Sequence, residues 1–135
     1  MTVIETAEQF VALRLSEIPE EYRRAAQDSA PDRVWLDVID RFPEMQKWVA
    51  QNKATPVAIL SRLARDPDAA VRWWVANANR ADVELLRSLA GDPDEAVRHR
   101  VSRHKRAPLD VLESLRRDDS TVVRDVAEAR LRERG

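Results

Sequence analysis

Asp66, Asp92 and Asp118 follow one another at intervals of 26 residues, and Arg72, Arg98 and Arg124 keep the same interval. A carboxylate and a guanidinium can join through two parallel charge-assisted hydrogen bonds, stronger than neutral ones. Two kinds of chemistry fit such pairs. They could hold a charged ligand, or they could tie one structural unit to the next. Strict recurrence favours the second, because side chains repeated with the period serve stacking. The six residues are therefore predicted to form an inter-repeat ladder.

Recognition chemistry belongs on positions that break the period and face outward. If the second helix of each unit buries positions 71, 74, 75 and 78, then 72, 73, 76 and 77 point away. The equivalents of position 73 are Lys47, Trp73, His99 and Asp125, and those of 77 are Gln51, Asn77, Arg103 and Ala129. Lys47, Gln51, Trp73, Asn77, His99 and Arg103 would then form one stripe. Trp73 is the sharpest of them, since a tryptophan exposed beside Arg and His has the character of an interface hot spot. Arg100 stands where the earlier units carry Trp48 and Trp74, and the run Arg98–Arg106 holds five basic residues, two histidines and no acid. That run could meet phosphates or an acidic protein surface.

Catalytic and metal chemistry find little purchase. There is no cysteine, which excludes disulfides, thiolate metal sites, iron–sulfur ligation and cysteine nucleophiles. His99 and His104 are five apart rather than the four of a zinc-binding H-E-x-x-H helix. Gly91 and Gly135 are the only glycines, so phosphate-cradling loops and the G-x-S-x-G elbow are missing. No cofactor and no metal is expected.

The elements that must position these residues are helices. Strand alternation and Asn-Gly or Asp-Gly turns are missing. Thr6 and Gln9 have capping-box spacing ahead of a helix over about 7–15. Pro19 opens a second helix ending near Asp28, with Tyr22, Ala25 and Ala26 inward. Pro31 opens a third, with Val34, Trp35, Val38 and Ile39 at helical spacing, and Pro43 a fourth, with Met45, Trp48 and Val49. In the clearest unit Thr55 caps, Pro56 starts helix A and Val57, Leu60, Leu63 and Ala64 turn inward, while Asp68 caps helix B. The later units repeat this with Val83, Leu86, Leu89, Val97 and Val101, and with Leu109, Leu112, Leu115, Val123 and Ala127. A period of about 20–50 residues marks a repeat architecture. One domain is expected over 1–135: a helical cap (1–30), a degenerate repeat (31–53), repeats over 54–79, 80–105 and 106–131, and a charged tail (132–135).

Over residues 55–79 the pattern T-P-x-x-x-L-x-x-L-A-x-D-P-D-x-x-V-R-x-x-V-A-x-N is nearly complete. It resembles the bacterial leucine-rich repeat variant, and its D-x-x-x-x-V-R core resembles HEAT repeats, over about residues 31–131. The resemblance implies an all-α, right-handed α-solenoid whose B helices line the concave surface. It also implies that Asp66, Asp92, Asp118, Arg72, Arg98 and Arg124 form the ladder between units. The iron–sulfur cluster of the founding variant-repeat protein does not carry over, for want of cysteine.

Net charge is −1 overall, but −3 over residues 1–54 (7 basic, 10 acidic) and +2 over 55–135 (16 basic, 14 acidic). Near neutrality argues against a general polyanion binder. No signal peptide and no apolar run long enough to span a membrane is seen, so a cytoplasmic protein is expected. Arginine greatly outnumbers lysine (Lys47, Lys53 and Lys105 only), a composition that hints at a GC-rich bacterial source. The resulting expectation is a non-catalytic, monomeric protein-binding module, by analogy an adaptor or an immunity-type blocking protein. Its binding residues would be Lys47, Gln51, Trp73, Asn77, His99, Arg100 and Arg103. The alternative is nucleic-acid binding through the Arg98–Arg106 patch.

Overall fold

The structure, a computed structural model, describes residues 2–134. It is all-helical, with ten α-helices and no strand among the described residues. α1 (Ala7–Leu15) and α2 (Pro19–Gln27) precede α3 (Asp32–Arg41), a single 3-10 turn (Pro43–Met45) and α4 (Gln46–Gln51). Three helix pairs follow: α5 (Val57–Leu63) with α6 (Ala69–Asn77), α7 (Val83–Leu89) with α8 (Glu95–Arg103), and α9 (Leu109–Leu115) with α10 (Thr121–Arg134).

Local chemistry sets the boundaries. The Thr6 hydroxyl accepts from the Gln9 amide at 3.0 Å, and the Gln9 side chain reaches back to the Glu5 amide at 2.7 Å. Asp68, Asp82 and Asp94 cap α6, α7 and α8 through their carboxylates. Pro56 and Pro108 occupy the capping position itself, one step before the helix. Thr55 is not the cap predicted for it. It is buried, and its hydroxyl donates to the Val49 carbonyl at 2.7 Å, holding the start of one pair against the end of the previous one.

The B helices α4, α6, α8 and α10 pack directly on one another in sequence order, while the A helices of successive pairs approach less closely. This arrangement explains where the predicted faces were wrong. A helix with its own partner on one side and another B helix on the next must bury a wider arc than one amphipathic stripe. So α6 buries Val71, Val75 and Ala76, while Trp74 and Ala78 are only partly covered. Ala50, Ala76 and Ser102 are 2%, 0% and 0% exposed, small residues that let adjacent B helices close up. On the A helices the inner face is Ile59-Leu60-Leu63, Leu85-Leu86-Leu89 and Val111-Leu112-Leu115. Val57 is only half-buried, and Val83 and Leu109 are exposed, contrary to expectation. In α2 only Ala25 is buried; Tyr22 and Ala26 face solvent.

At the N-terminal end Phe10 of α1 meets Trp35 of α3 edge to face, with centroids 5.3 Å apart, and both are fully buried. Ile4, also fully buried, donates its amide to the Ser29 carbonyl at 2.8 Å and fastens the leading segment to the end of α2.

The charged pairs join successive units. Arg72 bonds Asp92 through Nε and Nη2 at 2.8 and 3.2 Å, and Arg98 bonds Asp118 with the same two distances. Each aspartate also makes its own turn, since Asp66, Asp92 and Asp118 accept from the amides of residues 68, 94 and 120. Arg72 and Arg98 are held above the usual arginine range chiefly by these hydrogen bonds. Burial pushes the Asp118 carboxyl up, but the Arg98 and Ser120 bonds outweigh it and the net direction is down. Among the described residues Asp66 and Arg124 have no such rung. The position that would serve Asp66 is Gln46, and Arg124 binds backbone carbonyls only.

Asp92, whose side chain is 5% exposed, sits in the better covered of the two rungs. Removing one partner of a buried pair strands the other. Asp92→Ala is expected to cost about 3 kcal/mol in urea unfolding. Glu8→Ala, which breaks the solvent-exposed pair with Arg41, should cost less than about 1 kcal/mol. Equal costs for the two would strip the ladder of its stabilising role.

Candidate functional site

α4 packs on α6 and α6 on α8, so the predicted site residues sit on three neighbouring helices. Lys47 and Arg103 are exposed, and Gln51, Trp73, Asn77, His99 and Arg100 are half-buried. Trp73 is not the free-standing tryptophan that its spacing suggested. It stacks edge to face on Trp74 with centroids 4.9 Å apart, and both pack partly against the core. Two predicted residues are bound to each other, because Arg100 donates from Nε to the Asn77 side-chain oxygen at 2.7 Å. Burial lowers the Arg100 pKa, and Arg103 and Arg130 add to that push.

The basic run is therefore smaller than it reads. Arg98 belongs to the ladder and Arg100 is held by Asn77. His104 is 1% exposed and lies inside the structure. Its Nδ1 accepts from the Arg106 amide at 3.0 Å, so the proton sits on Nε2, which donates to the Ala78 carbonyl at 2.8 Å. Arg103, Lys105 and Arg106 remain exposed.

His104 shows a second set of links that the sequence reading missed. Asn52, two repeats earlier in register, accepts from the Ala54 amide and donates to the Ala25 and Asp28 carbonyls. Arg130, one repeat later, donates to the Ser102 and His104 carbonyls. Asn, His and Arg share no residue class, so no periodic signal marks them. Each nevertheless carries a donor back to the previous helix end. At the same register Ala78 has no such group, and a recess of about 170 Å³ lies there beside Asn52, Trp74 and Arg80.

A further feature was also missed. The Arg14 guanidinium of α1 lies 3.4 Å from the Trp48 ring centroid, and Lys47 Nζ lies 5.4 Å from it. Trp48, Tyr22, Ala25, Ala26, Gln51, Ser16 and Arg14 line a recess of about 440 Å³ at the α4 end of the face. Trp48 was assigned to the core with Trp74; it is only half-buried. The covering cation comes from a helix distant in sequence, which spacing alone does not reveal.

No group of three or more His, Cys, Asp or Glu side chains that could hold a metal ion occurs among the described residues. No helix among them is long and apolar enough to cross a membrane. In comparison with known proteins, the chain matches no family model, no curated protein and no solved structure.

The geometry of His104 makes stability depend on pH. Burial pushes its imidazole below the usual histidine range; the Ala78 carbonyl opposes this, and Arg100, Arg106 and Lys105 reinforce it. A histidine with a lowered folded pKa adds stability that is complete above about pH 6.5 and is lost as pH falls below it. His104→Asn should keep both hydrogen bonds, as Asn52 does, without a titrating group. Between pH 7.5 and pH 5, urea unfolding should show a larger loss for the wild type than for His104→Asn. Parallel losses would show that protonation of His104 is not what weakens the fold.

Proposed function

We propose that the chain is a short right-handed α-solenoid that works as a non-catalytic protein-binding module. It presents the α4–α6–α8 face to a partner with an acidic surface. The observation that carries this reading is the set of three half-buried tryptophans on α4 and α6: Trp48 beside the Arg14 and Lys47 cations, and the stacked pair Trp73 and Trp74. Aromatic residues with apolar bodies partly open to solvent, next to positive charge, suit the centre of an interface. Closer packing of B helices than of A helices supports a stack curved toward the B side, so that this face is the concave one. The Arg72–Asp92 and Arg98–Asp118 rungs support kinship with HEAT-like repeats. An adaptor or an immunity-type blocker is the kind of protein this reading implies, in the cytoplasm and as a monomer.

One observation favours a second reading. Arg103, Lys105 and Arg106 stay exposed at the end of α8, and no carboxylate pairs with them among the described residues. They could meet phosphates, though three cations on a nearly neutral chain give a small counterion-release term.

The two readings separate in one experiment. Tagged wild type, Trp73→Ala and the triple Arg103→Ala, Lys105→Ala, Arg106→Ala variant are used to capture partners from lysate, with and without nuclease. Circular dichroism confirms the fold of each. A protein captured despite nuclease, and weakened at least tenfold by Trp73→Ala, is the expected result. Capture that vanishes with nuclease, or with the triple variant alone, would transfer the function to nucleic acid. Full retention by Trp73→Ala would remove the aromatic face from the site.

A further inference from the structure

The ladder is built from an arginine clamp whose three copies are not equally filled. In the first, Arg72 Nη1 donates to the Asp66 and Pro67 carbonyls at 2.7 and 3.0 Å, while Nε and Nη2 reach Asp92. In the second, Arg98 Nη1 donates to the Asp92 and Pro93 carbonyls at 2.8 and 3.2 Å, while Nε and Nη2 reach Asp118. In the third, Arg124 Nη1 makes the same two bonds, to the Asp118 and Asp119 carbonyls at 2.7 and 3.2 Å. No carboxylate meets its Nε and Nη2 edge among the described residues.

The guanidinium is thus fixed by its own turn. Much of the entropy that a flexible arginine loses on forming a fork is already spent. The edge left over is the one that takes a carboxylate in fork geometry in both other copies. We propose that Arg124 is a preformed carboxylate-binding site, and that its occupant is an aspartate or glutamate side chain of a partner protein docking on the α10 end of the stack. This surface is separate from the aromatic face, and its test does not depend on that assignment.

The kind of occupant follows from Glu128. It stands in register with Ala50, Ala76 and Ser102, which are covered by the next B helix. Another helix packed in the same way would bury the Glu128 charge, which is costly without a partner. The carboxylate must therefore be offered from a differently shaped surface, as in the filled clamps it is offered from a turn. Glu128 is also four residues from Arg124 and is the intramolecular competitor. In the structure Arg124 bonds to the two turn carbonyls and not to Glu128.

The test uses the full chain labelled with 15N-arginine, reading the Nε–H resonances. Acetate is titrated against chloride at equal ionic strength, followed by the peptide acetyl-Gly-Asp-Pro-Asp-Glu-amide, the sequence of residues 91–95 that fills the first clamp. Arg124 should shift saturably with acetate and at several-fold lower concentration with the peptide. Arg72 and Arg98 should stay in place, and exposed Arg65 should move much less. Arg124→Lys, which keeps the charge but not the fork, should lose the saturable binding. An Arg124 response equal to that of Arg65 overturns the site. An acetate response that the peptide does not improve on overturns the assignment to a protein segment. A large Arg124 shift produced by Glu128→Gln alone would show that Glu128 already fills the clamp, and would also overturn it.

Discussion

Two joints of the repeat region, α6 to α7 and α8 to α9, each depend on a guanidinium that must satisfy two units at once. Arg72 reaches back to the carbonyls of its own turn and forward to the carboxylate of the next. That carboxylate in turn accepts the amide two residues on, so the same atoms that close a turn receive the neighbour's charge. Both bonds hold only if the intervening helix A has a fixed length and a fixed tilt. This gives a physical reason for the uniform interval of 26 residues. An inserted residue in α7 would rotate Asp92 away from Arg72 and leave each charge poorly hydrated and without its partner.

The point where the rule lapses is informative. Gln46 replaces the arginine in the first, degenerate unit, and its amide donates to the Ile39 carbonyl at 3.4 Å instead of to Asp66. The helix there is shortened by a 3-10 turn after Pro43. An open recess of about 740 Å³ lies along Gln46, Asp66, Asp40 and Arg62. Stacking at this joint is carried by other means: α4 against α6, and Thr55 bonded to Val49. The ladder is therefore not needed at every joint, and the apolar contact between B helices is the more general device.

Much of the architecture was legible because it rests on periodic apolar residues. Leu60, Leu86 and Leu112 are essentially fully buried, as are Leu63, Leu89 and Leu115. The misreadings fall where burial depends on a neighbour rather than on the helix itself. Ala76 looked outward because a single-face pattern leaves it there; it is covered because another helix lies on that side. Tyr22 looked inward from spacing, yet it is exposed, on the recess that Trp48 and Arg14 also line. His104 read as one more cation of a patch, since nothing in a linear run shows that its ring fills the place that Asn52 fills two units earlier. The candidate face shows the same limit: neither the Arg100–Asn77 bond nor the Arg14–Trp48 stack has a signal in the spacing.

The division between shared packing positions and variable outer positions separates what holds the helices together from what they present to solvent. Positions 60, 63, 66, 72 and 75 and their equivalents are tied to packing or to the ladder, so changing one disturbs two units. Positions equivalent to 73 and 77 carry Lys47, Trp73, His99 and Asp125, and Gln51, Asn77, Arg103 and Ala129, with no shared chemistry. Such variety is tolerated because these side chains lie outside the ladder and are not fully enclosed between helices. Helix pairs that share their packing residues thereby acquire a surface with direction, acidic at Asp125 and basic and aromatic from Lys47 to Arg103. Such a gradient gives the face a unique direction, which identical repeats alone would not impose.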